Sequence, residues 1–365
     1  MKLALSADFR SIVLHETPLL DVRAPVEFEN GAFPNATNLP ILDDEERRLI
    51  GIKYKNEGNA AAVKLGEELI GKLGKEERVA KWKEYLTQNP NALLYCFRGG
   101  QRSGISQAWL DEAGVNITRL KGGYKAFRNF LLEQTQEISA NANTLILGGR
   151  TGSGKTLLLS KIKNAIDLEG LANHRGSSFG HFISAQPAQI NFENNLAYEL
   201  IRFDAKNHNN LVIEHESHNI GRAFIPKPIY ENFMQGQLVI LETPLERRIE
   251  ITYEEYVISA INNYTKTFGE DGLEKWANDV NAGLDRIKKR LGGESHLEFN
   301  NMFGEAFGKH FEEDGAELYK KWIEKLLTDY YDPMYDYQLR KTSIPVIFRG
   351  DSEEVLNFIR SMETI

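Results

Sequence analysis

A glycine-rich segment with the spacing GxxxxGK[ST] constrains the fold more than any other feature of this sequence. It reads Gly149-Arg150-Thr151-Gly152-Ser153-Gly154-Lys155-Thr156. The apolar stretch 144–147 before it predicts a β-strand, and the apolar run Leu157 to Ile166 after it predicts a helix. In that context the loop N–H groups can bind a di- or triphosphate, Lys155 can reach the terminal phosphates, and the Thr156 hydroxyl can bind Mg²⁺. The sequence therefore predicts an α/β domain with a phosphate site; a glycine-rich turn without a ligand is the alternative.

The chain contains a single cysteine, Cys96. It follows the apolar stretch 92–95, which predicts a strand, and it precedes a stretch with helical spacing from Ser103 to Ala113. The strand-to-helix loop between them is Cys96-Phe97-Arg98-Gly99-Gly100-Gln101-Arg102-Ser103. Two glycines, two arginines and a helix N-terminus favour an anion at the centre of this loop, and the same field would stabilise a thiolate. The loop predicts a reactive thiol, whereas a lone cysteine elsewhere often packs as a small hydrophobic residue.

The composition limits the classes of protein to consider. A chain of 365 residues, 41% of them hydrophobic, predicts two globular domains. No apolar run approaches the ~20 residues of a membrane helix, and Asp8 and Arg10 interrupt the region where a signal peptide is apolar. We therefore expect a cytoplasmic protein with no membrane partner. A single cysteine excludes an intrachain disulfide and a cysteine-based zinc cluster.

Net charge gives a weak argument about nucleic acids. The formal charge of −8 disfavours a nucleic-acid partner. The basic stretch 286–290 could still contact phosphates, although a solvated helix face is an equally good interpretation of such a stretch.

The polar run from Glu133 to Asn143 lacks strong apolar periodicity and separates the two motifs. We therefore predict a first domain at 1–133, a linker at 134–143 and a second domain at 144–365. The first domain alternates helical stretches with strands, which are expected at 19–23, 93–95 and 117–120. The second has a strand-loop-helix start, strands at 210–214, 237–241 and 344–348, and a mainly helical region at about 245–330.

A group of polar residues, Glu214-His215-Glu216-Ser217, follows the apolar strand 211–213. A carboxylate at the end of a strand beside a phosphate loop is expected to organise a metal ion or a water, and we choose Glu214 for this role. A strand-end charge that faces solvent is the alternative.

Several segments of the first domain resemble a rhodanese domain. The opening of that domain is matched by Asp21-Val22-Arg23, Glu27-Phe28 and Gly31-Ala32-Phe33-Pro34-Asn35-Ala36, its active-site loop by Cys96 to Ser103, and its closing motif by Gly122-Gly123-Tyr124. A rhodanese domain joined to a P-loop domain is similar to the bacterial tRNA 2-selenouridine synthases. Further matches to that family are Gly170 to Gly180, Gln186-Pro187, Phe192-Glu193-Asn194, Glu214 to Ser217, Ile220-Gly221 and Tyr331-Asp332-Pro333-Met334-Tyr335.

The resemblance implies an α/β fold with a rhodanese-like domain, then a P-loop NTPase-like domain with a helical C-terminal region. It also implies an enzyme that acts on the wobble 2-thiouridine of tRNA. Members of the family attach a geranyl group from geranyl diphosphate to the sulfur and then replace the S-geranyl group with selenium from selenophosphate. Alkylation turns the sulfur into a better leaving group and makes the uridine C2 more electrophilic. No tightly bound cofactor is implied; the Mg²⁺ ion that Thr156 can bind is an expectation from the phosphate-loop motif.

The resemblance assigns Cys96 to selenation, either as a selenylsulfide carrier of selenium or as an activator of selenophosphate. Arg98, Arg102 and the loop amides would bind the oxyanion. Many sulfurtransferase rhodaneses have a loop one residue shorter between these cysteine and arginine positions. The longer spacing is similar to that of rhodanese-related phosphatases and implies a cavity for a phosphate-sized group, which selenophosphate would fit.

The role of the P-loop is less direct, because neither step needs ATP hydrolysis. A diphosphate does need a binding site, so we hypothesise that Gly149 to Thr156 bind the diphosphate of geranyl diphosphate. A nucleotide bound for regulation or tRNA remodelling is the alternative. Second-tier site residues are expected in two matching segments: His174, Arg175, Ser177 and Ser178 in one, Glu214 and Glu216 in the other.

Three other functions remain open from the sequence. A phosphatase would use Cys96 and Arg102, although no carboxylate is evident that could protonate a leaving alcohol. A rhodanese-type sulfurtransferase coupled to a nucleotide-binding P-loop domain is a second alternative. A nucleotide-regulated binding module is the third, and the intact Cys96 counts against it.

Overall fold

The computed structural model describes residues 4–363. By its internal contacts the chain forms two compact units. The first unit comprises residues up to Ile138 together with Pro187–Lys206, and the second comprises Ser139–Gln186 and the chain from Asn207 onward. None of the helices in the described part of the chain is long and apolar enough to cross a membrane.

Strands and helices alternate through most of the chain. The strands are β1 (Leu5–Ser6), β2 (Leu19–Asp21), β3 (Ala36–Asn38), β4 (Leu93–Tyr95), β5 (Thr118–Leu120), β6 (Asn143–Gly148), β7 (Ala165–Ile166), β8 (Asn210–Glu214), β9 (Asn219–Ile220), β10 (Ala223–Phe224), β11 (Gln237–Leu241) and β12 (Val346–Gly350). The helices that precede β11 are α1 (Phe9–Leu14), α2 (Pro25–Glu29), α3 (Asp44–Gln88), α4 (Gln101–Glu112), α5 (Gly123–Asn141), α6 (Lys155–Leu159), α7 (Leu168–Ala172), α8 (Gln189–Ala205) and α9 (Lys227–Phe233). The remaining helices are α10 (Leu245–Tyr253), α11 (Ser259–Phe268), α12 (Gly272–Leu291), α13 (Gly293–Gly308), α14 (Gly315–Leu326), α15 (Asp332–Lys341) and α16 (Ser352–Glu363).

The first unit is built on a five-stranded parallel sheet in the order β1-β5-β4-β2-β3. Its central strands carry fully buried residues such as Leu20 and Leu94, which pack with Trp82 of α3 in one core. In α3 the helical dihedrals are interrupted at Gly58 and Gly71. Because ligands bind at the carboxyl ends of parallel strands, the ends of β2 and β4 are the expected place for a site.

The second unit has a five-stranded parallel sheet in the order β12-β11-β6-β8-β7. The core on one face joins the sheet to α6 and α16 through residues such as Leu147, Leu158 and Val355. A separate helical region follows β11, and its core contains Trp276, Phe303, Tyr319 and Trp322. Two π-helical segments, Glu254–Ile258 and Leu327–Tyr331, interrupt this region.

The predicted α/β architecture of both domains is confirmed, and three strands have the predicted bounds: β4, β8 and β11. The helix predicted from Leu157 to Ile166 is wrong in its length. The helix α6 ends at Leu159, and Ile166 lies in β7, where it pairs with Ile213 of β8. A short apolar run is compatible with a helix or with a buried strand. Here Ile166 belongs to the edge strand of the sheet.

The segment expected to be a linker at 134–143 differs in the structure. It is helical up to Asn141 as the end of α5, and Asn143 already begins β6. The small polar residues Thr135 and Ser139 are buried on the same helix face as Ile138, so the buried face carries little apolar signal. The helix α8, within the predicted second domain, packs in the first unit.

Candidate functional site

The thiol of Cys96 lies at the carboxyl end of β4, the position expected of a site in a parallel sheet. The residue is 3% exposed, and its Sγ is 3.1 Å from Oγ of Ser103. Among residues 4–363, the backbone N–H groups of 97–102 donate to no backbone carbonyl. The N-cap of α4, Gly100, has no side-chain capping bond either. This loop therefore offers an anion several free donors next to the thiol.

Two glycines hold the Cys96 loop against the start of α5. The backbone N–H of Tyr124 donates to the Cys96 carbonyl at 2.9 Å. Gly99 and Gly123 both have φ of +61°, and a Cβ on Gly123 would overlap the Cys96 carbonyl and the Gly99 amide. Only glycine fits such a close backbone approach with a positive φ. The closing motif Gly122-Gly123-Tyr124 thus fixes the shape of the cysteine loop.

The arginine of the loop, Arg102, is paired with Glu27 of α2. Both carboxylate oxygens of Glu27 accept from Arg102, and Arg47 lies 3.0 Å from the same carboxylate. Burial would raise the pKa of Glu27, but the hydrogen bond and charge of Arg102, with the charge of Arg47, lower it overall. Glu27 is therefore ionised at neutral pH and is unsuited to donate a proton as a general acid.

A second ion pair, fully buried, lies at the end of β2. The guanidinium of Arg23 contacts Asp21 at 2.7 Å and donates to the Gly31 carbonyl at 2.8 Å. It also lies 4.1 Å from the ring centroid of Tyr124. Arg23 therefore joins three of the segments that matched the rhodanese pattern: 21–23, 31–36 and 122–124.

Beside Cys96 the first unit has an open cavity of about 960 Å³. Cys96, Arg98 and Arg102 line it together with Glu27 and Arg47. Its remaining wall, contributed largely by α3 and α4, includes Ile41, Leu42, Ile50, Ile70, Ile105 and Trp109. The structure thus brings the three predicted catalytic residues to one cavity, where the thiol and guanidinium groups meet an apolar surface.

The phosphate-binding loop of the second unit lies between β6 and α6. Gly152 and Gly154 have φ of +77° and +83°, and a Cβ on Gly152 would lie 3.0 Å from the Arg248 carbonyl. Lys155 Nζ donates to the Gly149 carbonyl at 3.0 Å. In the described residues, the N–H groups of 151, 152 and 154–156 donate to no backbone carbonyl. The loop therefore has the donors and the lysine that a diphosphate needs.

Two arginines at this loop are held by acidic residues of α15. Arg248, 3% exposed, contacts both carboxylate oxygens of Asp332 and donates to the Thr151 carbonyl at 2.9 Å. Arg150 is paired with Asp336 at 2.8 Å. The matched segment 331–335 therefore supports the loop from behind. Sequence spacing alone gave no indication of these pairs, because their partners are distant in the chain.

A cavity of about 650 Å³ opens at the phosphate-binding loop. The loop residues that line it are Gly149, Thr151, Gly152, Ser153, Gly154, Lys155 and Thr156. Of the second-tier residues, Arg175, Ser177 and Glu216 also line it. Arg150 points to α15 instead, and His174, Ser178 and Glu214 are outside the lining.

Glu169 and Glu216 form a carboxyl pair in this cavity, and sequence reasoning missed Glu169. Their carboxyl groups meet at Gly176, where a Cβ would overlap both. Burial, and then the charge of Glu216, raise the pKa of Glu169 to about 8, and burial raises the pKa of Glu216. The two groups therefore share a proton near neutral pH. Glu169 lies on the short helix α7, directly before the matched segment that begins at Gly170, and that adjacency was the one signal that could have identified it.

Glu214 occupies a different environment from the one expected. It is fully buried, and its Oε2 accepts from the Leu168 N–H at 2.8 Å. Burial, followed by the charges of Asp167 and Glu169, raises its pKa. A neutral, buried carboxyl group that holds α7 to β8 fits these contacts, and no solvent-facing charge is present at this position.

His174 and Ser178 also have structural contacts. His174 is 4% exposed and packs edge-on against His181, and burial lowers its pKa to about 4, so the ring is neutral. The Ser178 carbonyl accepts two hydrogen bonds from Arg286. No group of three or more His, Cys, Asp or Glu residues in the described chain could hold a metal ion.

Together these features define a class of two-domain α/β protein, with a rhodanese-type cysteine loop on one unit and a phosphate-binding loop on the other. Residues 7–130 match the model of the rhodanese-like domain, and residues 142–365 match that of the tRNA 2-selenouridine synthase AAA domain. The chain belongs to the tRNA 2-selenouridine synthase family.

Three relatives described as tRNA 2-selenouridine synthase align with nearly the whole chain. The protein of Sulfurovum sp. (strain NBC37-1) is 52% identical over 98% of this chain and 99% of its own length. That of Hydrogenovibrio crunogenus is 47% identical over 97% of this chain and 98% of its own length. That of Alcanivorax borkumensis is 44% identical over 98% of this chain and 99% of its own length.

Proposed function

We propose that the protein converts the wobble 2-thiouridine of tRNA to 2-selenouridine through an S-geranyl-2-thiouridine intermediate, using geranyl diphosphate and selenophosphate. The observation that carries this proposal is that one chain holds two loops with different chemistry. One has a thiol beside backbone N–H groups that have no backbone partner within residues 4–363, and the other is a phosphate-binding loop with a lysine. The reaction is expected in the cytoplasm, where tRNA resides.

In the first step the phosphate-binding loop holds the diphosphate of geranyl diphosphate. The thiocarbonyl sulfur attacks C1 of the geranyl group, the C1–O bond breaks with its electron pair leaving on diphosphate, and the N3 proton of the base is released to water. Lys155 and the free loop N–H groups neutralise the charge that develops on the leaving group. Thr156 lines the cavity at this loop and would hold a Mg²⁺ ion, which would add positive charge to stabilise the leaving diphosphate.

In the second step Cys96 activates selenophosphate. The thiolate attacks phosphorus, the P–Se bond breaks, and the selenide released attacks C2 of the S-geranyl base. The C2–S bond then breaks, geranyl thiolate leaves, and water hydrolyses the cysteinyl phosphate. Transfer of selenium onto Sγ as a selenylsulfide would instead leave reduced phosphorus or require an oxidant. Attack at phosphorus is therefore the better of the two roles for Cys96.

Each residue around Cys96 has a part in this step. Ser103 can donate to the thiolate, and Arg102, positioned by Glu27, faces the phosphate oxygens with the loop amides. The apolar wall of the same cavity, which includes Ile50 and Trp109, suits the departing geranyl thiol. The ionised state of Glu27 counts against the phosphatase alternative, because an alkoxide leaving group needs a proton donor.

The test is nucleoside mass spectrometry of 2-thiouridine tRNA incubated with protein, geranyl diphosphate and selenophosphate. We expect 2-selenouridine from the wild type, accumulated S-geranyl-2-thiouridine from Cys96→Ser, and unmodified 2-thiouridine from Lys155→Ala. Unchanged tRNA with the wild type would refute the proposal. Release of phosphate from aryl phosphates would then favour a phosphatase, sulfur transfer from thiosulfate a sulfurtransferase, and nucleotide binding without chemistry a binding module.

A further inference from the structure

The helical region of the second unit encloses a cavity of about 60 Å³ that the site described above does not use. Its wall is mostly apolar and aromatic, with Phe179, Trp276, Val280 and Trp322 among its residues. A cavity needs ~10–15 Å³ of such free volume to hold one water molecule. This space therefore holds about four to six water-sized groups, which is close to one five-carbon isoprene unit. A closely packed core rarely leaves a void of this size.

This cavity adjoins the phosphate-binding cavity directly. Thr151 of the phosphate-binding loop lines both, as do Arg175, Ser177, Tyr256 and Tyr331. A ligand with its anionic head on the loop would therefore meet the aromatic cavity on the other side of this shared wall.

Both π-helical segments found between residues 4 and 363 contribute to the same wall. Tyr256 belongs to Glu254–Ile258, and Leu327 and Tyr331 belong to Leu327–Tyr331. π-Helical turns are rare and are found mostly at functional sites, because the inserted residue costs stability unless it has a use. Two of them converging on one small cavity indicate that its shape matters.

The wall also contains buried polar atoms without partners. Nε1 of Trp322 and Oγ1 of Thr252 have no hydrogen-bond partner, although both residues are buried. Unpaired buried donors are uncommon in native proteins and are costly. They distinguish this region from an ordinary core, in which buried donors are paired.

We propose that this aromatic cavity binds the terminal isoprene unit of the geranyl chain whose diphosphate is bound by the loop 149–156, with the first isoprene unit lying at the shared wall. This inference rests on the proposed function, and it adds the determinant of chain length. A nucleotide base is a poorer occupant, because the ring and substituent atoms of a pyrimidine or purine outnumber the water-sized groups that this space holds, about four to six.

The binding test compares inorganic diphosphate, dimethylallyl diphosphate and geranyl diphosphate by calorimetry on the full-length protein. Because each buried CH₂ contributes roughly 0.8 kcal/mol, the five added carbons of geranyl should tighten binding at least about tenfold over dimethylallyl. Equal affinity for all three would overturn the inference while leaving a diphosphate site. If the protein binds none of the three compounds, or binds them equally well after Lys155→Ala, the proposed function itself is refuted.

The variant test fills the cavity with Ala260→Phe on α11, which should weaken geranyl diphosphate at least about tenfold and leave inorganic diphosphate unchanged. The matched control is Ala282→Phe, a half-buried position on α12 outside the cavity wall, and it should bind both like the wild type. An unchanged preference in Ala260→Phe would overturn the inference.

A second variant decides the matter if Ala260→Phe also loses inorganic diphosphate. Tyr264→Ala enlarges the cavity and should shift the affinity ratio toward farnesyl diphosphate by about tenfold. A wild-type ratio in that variant would overturn the inference.

Discussion

The guanidinium of Arg248 and the carboxylate of Asp332 form a two-point ion pair, with contacts of 2.9 and 2.6 Å, behind the phosphate-binding loop. The same guanidinium donates to the Thr151 carbonyl at 2.9 Å. Asp332 therefore acts on the loop through Arg248. The segment 331–335 thus helps to position the loop although the two are far apart in the sequence. Removing the Asp332 carboxylate should therefore lower the free energy of unfolding.

We predict that Asp332→Asn lowers the free energy of unfolding by about 3 kcal/mol, because it leaves the buried Arg248 unpaired. The matched control is Asp336→Asn. Its partner Arg150 is 45% exposed, so the loss there should be at most about 1 kcal/mol. Urea unfolding measures both. Equal losses in the two variants would contradict the buried role of Asp332.

Gly123→Ala should distort the cysteine loop. The new Cβ would overlap the Cys96 carbonyl at a residue with φ of +61°, and a positive φ alone costs ~1–2 kcal/mol for a residue with a side chain. We expect a lower melting temperature and loss of selenation in the tRNA assay, with S-geranylation kept, because the phosphate-binding loop belongs to the other unit.

The control for this change is Gly304→Ala, a helical glycine with no atom within 4 Å of the added Cβ. Alanine there should raise stability by roughly 0.5–1 kcal/mol. If Gly123→Ala selenates tRNA like the wild type, the loop does not depend on this contact.

Much of the fold was predictable because its signals are local. The strands β4, β8 and β11 are short β-prone runs bounded by loops, and the two glycine-rich loops have fixed spacing. The cores of both sheets follow from these strands.

The contacts that complete each site were not predictable, because they join residues that are distant in the sequence. The pair of Arg150 with Asp336 spans 186 positions. Glu169 meets Glu216 only after β8 and α7 have packed, and the position of Glu214 depends on an amide of another element. The end of α6 is likewise decided by pairing of β7 with β8.

Glu27→Gln should remove selenation without affecting S-geranylation. The amide cannot balance the charges of Arg102 and Arg47, so Arg102 is no longer held toward the anion site. The product of the variant in the tRNA assay should be S-geranyl-2-thiouridine. Glu29→Gln, an exposed position on the same helix, is the matched control and should behave like the wild type.

The same variant has a pH signature. The lowered pKa of Glu27 contributes stability above the ordinary carboxyl pKa, and this contribution is lost as the pH falls through the lowered value. Urea unfolding should therefore show a larger difference between the wild type and Glu27→Gln at pH 7 than at pH 3. A constant difference would mean that the arginine partners do not lower the pKa of Glu27.

The carboxyl pair in the phosphate-binding cavity predicts the opposite pH dependence. Burial, and then the charge of Glu216, raise the pKa of Glu169 to about 8, so its contribution to stability is complete below the ordinary value of 4.5 and is lost as the pH rises toward 8. Glu169→Gln keeps a hydrogen-bond donor and removes the titration. The fall in unfolding free energy from pH 5 to pH 8.5 should therefore be smaller in the variant than in the wild type.

The control is Glu324→Gln, which makes the same change at an exposed position on α14 and should keep the wild-type fall. Buried Glu214 also has a raised pKa, so Glu169→Gln should reduce the fall and not abolish it. Bound diphosphate or Mg²⁺ would change the charge beside the pair, so the measurement is made without ligand. An identical fall in the wild type and Glu169→Gln would show that the two carboxyl groups do not share a proton.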